Sequence, residues 1–261
     1  MTRKIVSFGS PGASGPVARA WPAFQDASGT GRSPITRLLA VSVLGIGLVA
    51  ATRANAQLCD GSASFARSPV QLTASGGFNS DGHVFGGGLG LGGAGPFAGV
   101  GVGKTSYKLG GASTEVEVDG GYQIALNPKH TSELCPLVSW AHSAGPHDFD
   151  AFNNGVIYDL DRNAFALGVG IGGVAVLSTH VSFVPSVSLS MVTVKSTTTN
   201  QNLGRTTTSS ETASAFDLGF AFLFNDAFSI RPSIVFLQGV EDKTTTFGLD
   251  MTVSLSHKEA H

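Results

Sequence analysis

The chain has 261 residues, 18 Asp and Glu against 16 Lys and Arg, and a charged fraction of only 13%. That is about half the usual share for a soluble domain, and the near-neutral balance of −2 offers no basic footprint for a nucleic acid. Glycine is abundant at 35 residues, Ser and Thr are frequent, and no apolar run reaches the roughly 20 residues of a spanning helix. This composition suits a β-protein that turns one face to lipid, since a soluble β-protein covers its outside with charge.

Residues 1–31 are Gly/Pro/Ser-rich and lack periodicity. They read as an unstructured extension, or as extra chain ahead of the real start. Arg32 and Arg37 then precede an apolar stretch, Leu38 to Ala51, of 14 residues. Ala54-Asn55-Ala56 follows. A positive flank, a short apolar core and an A-x-A site together make a secretory signal peptide over 32–56. The mature chain is expected to begin near Gln57, in an exported protein. A short buried helix would not account for the placement of the A-x-A site.

Cys59 and Cys135 are the only cysteines. No C-x-x-C occurs and the histidines are scattered, so a zinc site is not expected. An even count in an exported chain suggests one disulfide, worth about 4 kcal/mol in the chain-entropy model. Two separate buried thiols are the alternative.

From about Val70 to Ser256 the chain alternates with period two, so each face of a strand can be read separately. Phe165, Leu167, Val169 and Ile171 face one way, and Ala164, Ala166, Gly168 and Gly170 the other. Val181, Phe183, Val187, Leu189 and Met191 oppose Ser182, Ser186, Ser188 and Ser190. Phe216, Leu218, Phe220, Phe222 and Phe224 alternate with Ala215, Asp217, Gly219 and Ala221. Phe247, Leu249, Met251, Val253 and Leu255 alternate with Gly248, Asp250, Thr252 and Ser254. One face is large and apolar, the other small and polar. A membrane barrel has that pattern, with lipid outside and a tight polar lumen. A soluble sandwich would leave a surface of Ala, Gly and Ser.

Breaks in the alternation give ten strands, near 70–79, 83–92, 97–108, 114–126, 134–142, 163–177, 181–195, 213–224, 227–238 and 246–256; eight is the other possibility. The connections after the second, fourth, sixth and eighth strands are short. Those at 143–162, 196–212 and 239–245 are longer and polar. Short turns belong on the periplasmic side of an outer-membrane barrel and longer loops outside. Both termini and both cysteines then fall at the periplasmic end. Closing the sheet removes its exposed edges.

With its signal peptide, Gly-rich amphipathic strands and turn pattern, the chain resembles the small outer-membrane β-barrel domain family of Gram-negative bacteria over residues 57–261. The resemblance implies an all-β, antiparallel, up-and-down transmembrane barrel. It also implies outer-membrane lipid, periplasmic chaperones and the barrel-assembly machinery as partners. Such barrels often end on an aromatic residue. This chain ends Leu255-Ser256-His257-Lys258-Glu259-Ala260-His261, so the assembly signal is internal, within Phe247 to Leu255, or the tail is extra.

Several motifs suggest chemistry. Ala98 to Thr105 reads A-G-V-G-V-G-K-T, but a phosphate loop needs a following helix, and Ser106 to Gly111 reads as a strand end and turn. Gly88 to Gly93 and Gly168 to Gly173 match G-x-G-x-x-G, again without a helix; glycines that let strands bend are the plainer reading. His147-Asp148-Phe149-Asp150, with His142 nearby, could activate water at a barrel mouth, though a solvated loop explains it too. Glu115, Glu117 and Asp119 share one face. With Asp217, Asp250 and Arg231 they make a mostly acidic lumen, which would either bias passage toward cations or fill the interior with ion pairs. The leading expectation is a non-enzymatic outer-membrane barrel without cofactors, in a structural, surface or narrow-channel role. The alternatives are a soluble periplasmic barrel holding a small apolar ligand and a barrel-mouth hydrolase.

Overall fold

Residues 59, 69–92, 95–108, 111–147, 157–238 and 244–255 are described by the computed structural model of the chain. The segments read as an extension and a signal peptide lie outside these residues. Twelve strands follow in order: β1 (Val70–Phe78), β2 (Gly82–Gly92), β3 (Pro96–Tyr107), β4 (Ala112–Tyr122), β5 (Ile124–Ala125), β6 (Ser132–Ala144), β7 (Tyr158–Gly173), β8 (Ala175–Val176), β9 (Val181–Asn200), β10 (Arg205–Phe224), β11 (Phe228–Gln238) and β12 (Thr245–Ser254). The two-residue strands β5 and β8 pair with β6 and β9. They carry β4 and β7 onward past single breaks at Gln123 and Val174, which leaves ten long strands.

Every pairing is antiparallel between chain neighbours, and β12 returns to β1 from Gln71↔Ser254 to Phe78↔Phe247. The sheet is therefore a closed up-and-down barrel of ten long strands, the number that the alternation predicts. Val70 and Leu255 meet at one end, where Leu255 N–H donates to Val70 C=O at 3.0 Å. Tight turns share that end. Asn127 Oδ1 accepts from Thr131 N–H at 3.0 Å, and Asn225 and Asp226 take φ of 50° and 53°, a conformation that Asn and Asp tolerate better than most residues.

The strands differ from the sequence expectation mainly at the opposite end. The polar run 196–212, read as a long loop, is mostly strand: β9 and β10 pair continuously from Asn200↔Arg205 to Val181↔Phe224, and only residues 201–204 turn. Thr and Ser on both faces erase the period-two signal, while β-branched Thr still fits a pleated strand. Likewise β7 begins at Tyr158 and β6 runs to Ala144, so the loop read at 143–162 is shorter.

The interior of the barrel is its core. Small apolar residues pack on one side, among them Ala141, Ala164, Ala166, Val192, Ala213 and Val235. At the tight-turn end a disulfide joins Cys59 to Cys135, with Cα atoms 6.0 Å apart and a sequence separation of 76. It packs against Phe97 and Leu137. Cys59 itself is thereby held inside this mouth, beside Gly170.

Candidate functional site

Parity decides which side chains enter the lumen, because successive residues of a strand point to opposite faces. Glu115 and Glu117 on β4, Asp217 on β10, Arg231 on β11 and Asp250 on β12 are all buried, and Asp119 is half-buried. These are the six charged residues that the sequence assigns to the lumen, and the structure gathers three of them. Arg231 lies directly across from Asp250 in the β11–β12 register. Its Nη2 reaches Asp217 Oδ2 at 2.9 Å and its Nη1 reaches Asp250 Oδ2 at 3.5 Å. Nη2 also donates to Ser186 Oγ at 3.3 Å. One cation between two carboxylates spans β9, β10, β11 and β12 with 3% of its own surface exposed.

Glycines make room for this. A Cβ on Gly219, next to Asp217 along β10, would fall inside the Arg231 guanidinium. A Cβ on Gly99 would strike the Asp119 carboxylate in the same way. At both positions the missing side chain is the space that a lumenal charge occupies.

A second charged cluster lies nearer the long-loop end. Glu115 pairs with Ser143, and Ser143 with Arg162, along one row of three strands. The Arg162 guanidinium interacts with the Glu115 carboxylate and hydrogen-bonds Tyr107, whose Oη lies 2.9 Å from Ser113 Oγ. Glu117 is fully enclosed. Sequence reading missed Arg162 and Tyr107. Starting the strand at 163 left Arg162 in a loop, although it shares the parity of Ala164 and Ala166. Glu133, also buried, lies near the disulfide end.

Outside, the pattern inverts. Leu72, Val100, Val118, Leu167, Leu189, Met191, Leu249 and Val253 are exposed. Aromatic residues border this belt on both sides. Toward the long loops, Phe78 stacks on Phe247 with ring centroids 5.5 Å apart, and Trp140 on His142 at 6.3 Å. Toward the tight turns, Phe183 meets Phe222 at 5.4 Å and Phe224 stacks on Phe228 at 6.0 Å. The alternative of a barrel with an apolar ligand cavity needs Phe165 and Phe220 to face inward. They face outward, 46% and 42% exposed, because the lumen side of their strands holds Ala, Gly, Ser and Asp.

The remaining motifs are part of the wall. Lys104 and Thr105 sit on opposite faces of β3, and a strand follows. Gly88–Gly92 and Gly168–Gly173 lie within β2 and β7. His142 lies on the outer face of β6, its Nδ1 3.1 Å from Asn163 Oδ1. His147 Nδ1 stands 3.4 Å from Asp159 Oδ1, and Asp159 Oδ2 accepts from Gln201 Nε2 at 2.7 Å. Asp148, Phe149 and Asp150 lie outside the described residues. Among the described residues no three His, Cys, Asp or Glu side chains gather as a metal site would require.

No family model matches the chain, and no curated protein matches it. Solved structures do. A bacterial polysaccharide outer membrane secretin is similar at 13% identity, covering 67% of this chain and 57% of that one, with a TM-score of 0.40. The β domain of the Bordetella autotransporter BrkA is similar at 12% identity over 71% and 98% of the two chains, TM-score 0.45. Ail, the attachment invasion locus protein of Yersinia pestis, is similar at 16% identity over 70% and 97%, TM-score 0.35. The barrel described above stands on the chain's own closed strand pairing.

Proposed function

We propose that the chain is a non-enzymatic, integral outer-membrane β-barrel, closed to solutes, that serves the envelope as a structural and surface element. The carrying observation is the inversion of the usual soluble arrangement. Arg231, Asp217 and Asp250 are inside, while Leu, Val, Met and Phe form the exposed outer belt. So many exposed large apolar side chains on one face of the sheet mark a surface that meets lipid or a partner rather than water. Lipid outside and polar side chains inside, with aromatic borders, is the arrangement of transmembrane barrels. Residues 32–56 would serve as the export signal, and periplasmic chaperones and the assembly machinery would deliver residues 57–261.

The closed-lumen part of the reading is supported by near-complete enclosure. The lining of a water-filled pore would stay solvent-accessible. Here Glu117 is 0% exposed and Arg231 3%, so the acidic lumen is filled by its own side chains, as small barrels do. A narrow cation channel is the competing reading.

Two measurements test this. The folded protein should resist unheated detergent and shift in gel mobility on boiling. Recovery in a soluble periplasmic extract without such a shift would sink the membrane reading. In planar bilayers the inserted barrel should stay silent, and steady cation-selective steps would replace the closed lumen with a channel.

A further inference from the structure

Among the described residues, one strand edge of the barrel extension has no strand beside it. Beyond the wall, β9 and β10 continue as a hairpin, and β7 covers the β9 side up to Tyr158↔Asn200. On the other side, pairing of β10 with β11 begins only at Ser214↔Gln238. Among the described residues, 205–213 therefore have a strand on one side only.

Two hydrogen bonds fix which backbone groups face the opening. Gln201 N–H donates to Ile157 C=O, toward β7, and Asn225 N–H donates to His180 C=O, toward the β9 side. In an antiparallel ladder these groups alternate in direction from residue to residue. Odd-numbered residues of β10 therefore bond to β9. Thr206, Thr208, Ser210 and Thr212 aim their N–H and C=O groups at the open edge.

Proteins guard such an edge with Pro, Lys, a bulge or a covering segment. The sequence from Arg205 is R-T-T-T-S-S-E-T, without Pro, Gly or Lys. Its two charges, Arg205 and Glu211, are opposite in sign and on the same face of the strand.

We propose that this edge pairs antiparallel with the same edge of a second copy of the chain, about a two-fold axis at Thr208. That register sets Thr208 against its own counterpart, Thr206 against Ser210, and Arg205 against Glu211 at both ends. Thr208 is one of the residues with edge-facing groups, so the axis passes through a hydrogen-bonded pair. Opposite charges then meet directly across the new ladder, twice per contact. The axis is normal to the sheet and so reverses the barrel direction, which places the two copies in facing membranes. A six-stranded sheet, β7, β9 and β10 from each copy, would join them. The contact is short and polar, so a single pair is weak and many copies on two surfaces make it effective. The inference rests on the outer-membrane reading, which puts this hairpin outside the cell.

The test uses the folded chain in lipid nanodiscs, which leave both faces of the bilayer open. Thr208→Cys should form a disulfide-linked dimer under mild oxidation. Thr206→Cys and Ser210→Cys should each give little dimer alone and a dimer when mixed. In the Thr208→Cys background, Arg205→Glu and Glu211→Arg should each lower the dimer yield about tenfold, and mixing the two variants should restore it. Heat-dependent gel mobility on the same samples reports the barrel independently. Its absence defeats the membrane reading. An intact shift overturns edge pairing if Thr208→Cys gives no dimer, if Thr206→Cys dimerises as readily as Thr208→Cys, or if the mixed charge variants stay apart.

Discussion

The two halves of the β9–β10 hairpin share one continuous ladder but lie in different surroundings. In the lower half, Leu189, Met191, Phe220 and Phe222 face outward, and Ser186, Ser188, Ser190, Asp217 and Ala221 are enclosed in the lumen. In the upper half, Thr197, Thr199, Thr206 and Thr208 face outward and Ser196, Thr198, Arg205 and Thr207 face the other way, none of them buried. The pairing of β9 with β10 is the same in both. Surroundings, not hydrogen bonding, decide the side chains, since each strand must satisfy its backbone whichever medium it meets.

The largest expected contrast is between two arginines. Arg231→Ala leaves Asp217 and Asp250 buried without their cation and should cost about 3–5 kcal/mol. Arg205→Ala, on the exposed upper half, should change barrel stability by no more than about 0.5 kcal/mol. Denaturant unfolding of the refolded barrel measures both, and equal losses would break the comparison. Next comes the outer face. Phe220→Arg sets a charge within the apolar belt and should cost about 2–4 kcal/mol in a bilayer. Thr206→Arg on the same face of the same strand should stay within about 0.5 kcal/mol. A similar cost at both positions would place the upper half in lipid too. The smallest effect concerns the tip. Gly204 has φ of 62°, and a Cβ added there would stand in open space. Gly204→Ala should cost about 1 kcal/mol, visible as faster amide exchange across 196–212 with no change in barrel unfolding.

The lower half was legible in the sequence and the upper half was not. Phe216 to Phe224 alternates with small and acidic residues, so its two faces separate on inspection. Ser196 to Thr199 and Arg205 to Ser210 are polar on both faces, and nothing in the pattern distinguishes a water-exposed strand from a loop. The same limit hid Arg162. It stands at the upper end of β7, where outward Asp161 and Asn163 replace Phe and Leu and the apolar alternation ends. Among lumenal charges, Asp217, Asp250, Glu115 and Glu117 were assigned by parity alone. That Arg231 bridges Asp217 and Asp250, while Glu115 interacts with Arg162, follows from registers between strands that the sequence does not state.

Period two, composition and turn residues determined a barrel with its large apolar side chains on one face and ten strands in alternating direction. Those properties are local, since a residue's face depends only on its neighbours along the strand. The tertiary structure decided what fills the lumen, how far the hairpin rises beyond the belt, and where β10 stops pairing with β11. Each of these depends on where strands distant in sequence stop pairing, and on the space that Gly219 and Gly99 leave for charges carried by other strands.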